Sequence, residues 1–217
     1  GLLSGDSVTV SYNTSTTKYT NATAGSNKTI EVKGMSLSGT NANDYALSAT
    51  TRNITNAKIN KIAATNSVSI SGTNTYGSTL TANVTTNSDG TKTYSWWYAD
   101  SASATSGTAA PGATNSATYT VGSGLYGKYI GVTVSIAAGT NWNAASNATD
   151  ITDSTNNGTA QTSKKTLTVA GFTYLPIEKD YDGTTDVPSG FAITATSTSG
   201  LLSGDSVTVS YNTSTTK

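Results

Sequence analysis

The chain has 217 residues, no net charge at neutral pH, and neither cysteine nor histidine. Disulfides, thiolate metal sites and histidine-based catalysis are therefore excluded, and 12 basic against 12 acidic residues leave no cationic excess for nucleic acid or anionic lipid. Roughly a fifth of the residues are threonine, and Val, Ile, Tyr and Trp arrive in short clusters, a strand-forming rather than a disordered composition.

Taken in chain order, the apolar residues recur with period two, as half-buried strands require. Val8, Val10 and Tyr12 share one face, as do Ile30 and Val32. Met35 and Leu37 resume on the other parity after Gly34, which predicts a bulge at that glycine. Ser38-Gly39-Thr40-Asn41 reads as a turn before Tyr45 and Leu47. Leu80, Ala82 and Val84 align next, then Tyr94, Trp96 and Tyr98, with Trp97 pointing the opposite way. Asp89-Gly90 lies between those runs, as a hairpin would need. The longest strand is Tyr129 to Ile136, which aligns Ile130, Val132, Val134 and Ile136. Leu167 and Val169 follow, then Phe172 and Tyr174, with turns at Asp182-Gly183 and Ser203-Gly204-Asp205. No segment has helical spacing, so the expectation is all-β, with no helix longer than about two turns.

Residues 1–18, GLLSGDSVTVSYNTSTTK, return letter for letter as residues 200–217. The period is the 199 residues from Gly1 to Gly200. Identity over that length points to near-identical units in tandem, and such arrays build stalks and fibres rather than catalytic pockets. No apolar run reaches the length of a membrane span and no signal peptide is visible, so Gly1 is expected to be an internal start.

The run Lys179-Asp180-Tyr181-Asp182-Gly183-Thr184-Thr185 carries K-x-Y-D-G-T-T. With Gly200–Val209, Tyr19–Gly25, Ile30–Leu37 and Asn43–Leu47 it resembles the YDG domain, a β-sandwich module repeated in large bacterial surface adhesins. The resemblance is continuous only when the chain end is joined to the chain start. Gly77–Val84, Thr93–Tyr98, Tyr119 and Gly127–Val134 are similar to bacterial immunoglobulin-like surface domains, which implies a sandwich with Trp96 in its core. The expected organisation is the closing part of a YDG-type domain in 1–62, an immunoglobulin-like sandwich in 63–163, and the opening part of the next YDG-type domain in 164–217. The junctions fall near Ile62–Thr65 and Ala160–Lys165. Expected core residues are Trp96, Tyr181, Tyr45, Ile130, Val132 and Val134. The YDG domain is then split across the chain ends, and each half needs a neighbouring copy to cover its apolar face and strand edges.

Few residues suggest chemistry. Gly122 to Gly127 has G-x-G-x-x-G spacing but runs into a strand, so it reads as a turn and not a nucleotide site. Asp180, Asp182 and Asp186 alternate as in part of a calcium loop, but the twelve-residue loop and its closing glutamate are missing. Serine nucleophiles lack a histidine base, and the acids are sparse; no catalytic residue and no cofactor is expected. Trp97 and Trp142 are candidate ligand-facing aromatics, with packing at a domain junction as the alternative. Lys33 and Lys128 supply raw material for a Lys–Asn isopeptide cross-link, which no motif assigns. Both resemblances imply display on a bacterial cell surface, head-to-tail contact with identical repeats, and a structural or adhesive role. The rival reading is a repeat that itself binds a glycan or host protein. No membrane contact is expected within this segment.

Overall fold

A computed structural model describes residues 1–153, 161–174, 178–187 and 193–209, with backbone alone for 170–174 and 193–198. The fold is all-β; among the described residues the helical structure is one 3-10 turn, Ala42–Asp44. The chain divides into two compact units.

The first unit holds Gly1–Val68, Val84–Tyr94 and Thr133–Thr149. Its leading segment forms β1 (Thr9–Ser11), β2 (Lys18–Tyr19), β3 (Gly25–Lys33), β4 (Ser36–Ser38) and β5 (Thr51–Ile59). An antiparallel sheet in the order β2-β3-β5 sets Ile30 against both Tyr19 and Ile54. A two-stranded sheet pairs β1 with β4, setting Val10 against Leu37. The expected bulge at Gly34 is instead a corner. Gly34 takes φ 62°, and the chain there leaves the β3 sheet to join β1. A Cβ at Gly34 would lie 2.9 Å from that of Asn13, so only glycine turns this corner without strain. The bulge lies inside the sheet, where the β3–β5 register shifts between Gly25 and Ile30 and Asn27 adopts φ 56°. Tyr45 and Leu47 are half-buried and follow the 3-10 turn outside any strand.

The second unit holds Ser69–Asn83, Ser95–Val132 and Asp150–Lys217. The remaining strands are β6 (Ser67–Gly72), β7 (Thr79–Thr85), β8 (Lys92–Ala99), β9 (Thr108–Ala109), β10 (Thr118–Thr120), β11 (Tyr129–Ile136), β12 (Ala145–Ile151), β13 (Thr168–Tyr174) and β14 (Ile193–Ser199). They form sheets in the orders β10-β7-β6, β12-β11-β8-β9 and β13-β14. The alternation in β11 buries Ile130, Val132, Val134 and Ile136 almost completely. Trp96 of β8 stacks on Tyr119 of β10 with centroids 5.6 Å apart, so the first two of these sheets face each other across the aromatic pair. Because β7 and β8 belong to different sheets, Asp89-Gly90 lies on a crossover and not in a hairpin. Gly90 is buried there, and a Cβ would lie 1.9 Å from the Ala137 carbonyl oxygen. In β13 the register shifts on both sides of Gly171, which accounts for the parity change between Val169 and Phe172. Residues 154–160, where the second expected junction begins, and 210–217 of the second repeat copy lie outside the described residues.

Candidate functional site

The second unit carries a cleft of about 400 Å³ lined by Tyr76, Leu125, Tyr126, Lys164, Leu167 and Leu202. A buried polar cluster fixes one wall. Asn74, fully buried, donates from Nδ2 to Thr152 Oγ1 at 3.1 Å and accepts at Oδ1 from Thr162 Oγ1 at 3.0 Å. Thr152 Oγ1 also accepts from the Ile130 N–H at 3.0 Å. Buried polar groups of this kind hold position because an unmade bond costs the desolvation of each partner. The bonding continues along the chain through Thr75 and Ser163, whose hydroxyls are 2.7 Å apart, to Tyr76. Its hydroxyl donates to Asp205 Oδ1 at 2.9 Å, and this bond pushes the phenol above its ordinary pKa. Leu202 packs where Gly77 has no side chain; a Cβ at Gly77 would meet Leu202 Cδ1 at 2.3 Å. On the far wall the Lys164 ammonium sits 4.7 Å above the ring of Tyr126, which is 65% exposed. The G-x-G-x-x-G run borders the cleft as two turns, with Gly124 and Gly127 at positive φ, and β11 follows it at once.

In the first unit the corresponding Asp6 accepts from the Tyr45 hydroxyl through Oδ2, and that hydroxyl accepts from the Leu3 N–H at 2.9 Å. Leu2 and Leu3 are exposed, Leu3 at 71%.

The Y-D-G-T-T loop organises itself around a lysine. The Lys179 ammonium lies 2.8 Å from Asp182 Oδ1, 2.8 Å from Thr184 Oγ1, 3.2 Å from the Thr184 carbonyl oxygen and 2.8 Å from that of Asp186. Asp182 Oδ1 also accepts from the Thr184 N–H and hydroxyl, both at 2.9 Å, beside Gly183 at φ 76°. The lysine bond, ahead of those from Thr184, pulls the Asp182 carboxyl down to about 2. The weak calcium candidates are corrected by this geometry. Asp180, Asp182 and Asp186 are not gathered into a metal-binding group, and the oxygens that do converge hold an ammonium. Tyr181, expected in a core, is 98% exposed; the described residues of 164–217 pair only as the β13–β14 ribbon, which offers no second layer to cover it.

Trp97, expected on an open face, is buried. It is 4% exposed, and its indole lies flat on β11, where a Cβ at Gly131 would be 2.3 Å from Trp97 Cζ2. Gly107 leaves room on the other side, where a Cβ would be 2.7 Å from Cε3. Trp142 is half-buried and its backbone bridges Ile62; Asn141 beside it accepts the Ile62 N–H at its carbonyl and the Ala24 N–H at Oδ1. Trp96, Ile130, Val132 and Val134 are core residues, and Tyr45 is half-buried. Lys33 pairs with Glu31 at 2.9 Å, and Lys128 pairs with Asp100, which raises the lysine pKa. Ser15 and Lys18 have S-x-x-K spacing, but the Ser15 hydroxyl donates to Asn13 Oδ1 at 2.7 Å.

The carboxylate–phenol bond and the Leu202 contact together hold the second repeat copy against Tyr76 and Gly77. No curated protein and no solved structure matches the chain. Residues 1–53 match the YDG domain, which bears out that resemblance over β1 to β4 and the start of β5.

Proposed function

We propose that the chain is a structural repeat of an extracellular adhesin stalk or surface fibre, displayed on a bacterial cell and joined head to tail to identical repeats. The observation that carries this reading is the letter-for-letter return of residues 1–18 at 200–217, in a chain whose residues 1–53 match the YDG domain. The reading places the end of one YDG-type domain in 1–62, an immunoglobulin-like sandwich in 63–163 and the start of the next YDG-type domain in 164–217. Two observations support the sandwich. Sheet orders β10-β7-β6 and β12-β11-β8-β9 divide the strands as an immunoglobulin-like fold does, and a buried tryptophan sits on the central strand β8. The protein is read as non-catalytic, without a cofactor. Its work is mechanical.

Immunogold labelling of the intact cell tests display. The expected result is gold along surface filaments whose axial repeat is on the order of 70–80 Å, from strands of eight to ten residues in two sandwiches per period. Label confined to the cell interior would overturn the reading.

A second reading, in which each repeat binds a glycan or host protein, is favoured by one observation, the exposed ring of Tyr126 beside the cleft. Saturable glycan-array binding by the 217-residue chain that is lost in Tyr126→Ala would establish it; no binding would leave the stalk reading alone.

A further inference from the structure

The repeat places one ten-residue segment in two environments of the same molecule. Gly1–Val10 and Gly200–Val209 are identical, and both make the same turn at Ser-Gly, although only the first copy continues into a strand. The Asp6 N–H donates to the Leu3 carbonyl at 3.2 Å and the Asp205 N–H to the Leu202 carbonyl at 3.1 Å, with Gly5 at φ 95° and Gly204 at φ 91°. The turn therefore keeps one local form in two different surroundings. In the first copy its aspartate takes the Tyr45 hydroxyl on Oδ2, and its leucines lie open to solvent. In the second copy the aspartate takes the Tyr76 hydroxyl on Oδ1, and the second leucine is seated over Gly77. Each tyrosine takes one oxygen of the equivalent carboxylate and leaves the other to a second donor, and the leucine that is bare as Leu3 is half-buried as Leu202.

On the tandem-repeat reading above, we propose that the Leu-Leu-Ser-Gly-Asp turn is the clasp between consecutive copies. Its single carboxylate accepts two phenol hydroxyls at once, from Tyr76 on the module before it and from the repeat of Tyr45 on the module after it, while its second leucine seats over Gly77 and walls the cleft. The partner is thus a second copy of this sequence, and the exposed Leu2 and Leu3 mark where the preceding copy's cleft closes. A carboxylate has lone pairs for both donors, and each phenol brings the aromatic body that shields the bond from water. Glycine at 77 is needed because any side chain there would fill the leucine's seat.

Amide hydrogen exchange in the 217-residue chain tests the first half. Tyr76→Phe and Asp205→Asn should each speed exchange in 200–209 by about tenfold, the worth of one hydrogen bond, and leave 1–10 unchanged. Dispersion of the Trp96 indole signal checks that the sandwich itself is intact. The second half uses the chain lengthened by one further period. There the joining turn should exchange more slowly than either terminal copy, and Tyr76→Phe combined with Phe at the repeated Tyr45 should show coupling that Asp205→Asn abolishes. Unchanged exchange in Tyr76→Phe, or strictly independent effects of the two tyrosines, would overturn the clasp. These outcomes separate from the stalk reading. Regular surface filaments with an unprotected joining turn would sink the clasp alone, whereas a protected turn in a protein found inside the cell would sink the stalk alone.

Discussion

Trp96 and Trp97 are neighbours on one strand, point to opposite faces, and are both buried. Trp96 gains its place by stacking on Tyr119 and by donating from Nε1 to the Ser116 carbonyl at 2.9 Å. Trp96→Ala should cost roughly 3–5 kcal/mol, read as a lower denaturant midpoint at unchanged slope. Trp97 gains its place through absent side chains, so Gly131→Ala should destabilise by about 2–3 kcal/mol as the indole is displaced. The same denaturant titration checks it, and a coincident curve would refute the contact. Asn74→Ala should cost about 2–3 kcal/mol, chiefly by leaving the buried Thr162 hydroxyl without its acceptor; Thr162→Val in that background should recover part of the loss. Alternation on a strand signals opposite faces, and the usual inference is that one of them meets solvent. That inference misplaced Trp97, because a glycine's role as a flat floor is visible only once its neighbour strand is known. Tyr181 was misplaced for another reason: a signature names a loop but not the layer that would cover it.

At the level of elements, legibility followed apolar density. β11 could be read from its four alternating aliphatics, and β7 and β8 from theirs. The sequences of β5, TRNITNAKI, and β14, ITATSTS, are dominated by polar and small residues, and neither was visible from alternation. Such strands are held by backbone pairing and by Thr on a pleated surface, which leaves little periodic signal. The Y-D-G-T-T loop was legible as a turn, but the lysine at its centre was not. Lys179 lies three residues before Asp182, and its reach to two backbone carbonyls follows from loop closure rather than from spacing. Asp182 ordinarily titrates near 3.9 and is held near 2 in the fold. Because the folded value is the lower one, the loop's extra order is fully present above about pH 4 and is lost as pH falls through 2. Exchange of the Thr184 amide, followed from pH 5 to 2, should report this, and Lys179→Met should flatten the profile.

For the whole molecule, the all-β architecture was readable from composition and period, because a neutral chain rich in threonine and β-branched residues has few other ways to bury its clusters. The division of labour between its parts was not. The candidate cleft is built from Tyr76, residues 122–126, the segment around Lys164 and the second repeat copy, four segments far apart in sequence. Only the repeat pointed toward it, since an identical turn at two places invites the question of what each one touches.

Among the described residues, the ionisable groups with displaced pKa values move outward from neutrality. Asp182 is pulled down, while Tyr76, Tyr119 and Lys128 are pushed up, by an aspartate bond, by burial and by an aspartate bond respectively. The chain has no histidine and no cysteine, the side chains whose ordinary pKa values lie nearest neutrality. Thermal midpoints of the chain should therefore be level from about pH 5 to 9, within a degree or two, and a clear slope across that range would show an unnoticed coupled group. On the proposed stalk reading, a fibre assembled from such links keeps its strength across that range, because the groups held away from their ordinary pKa titrate outside it.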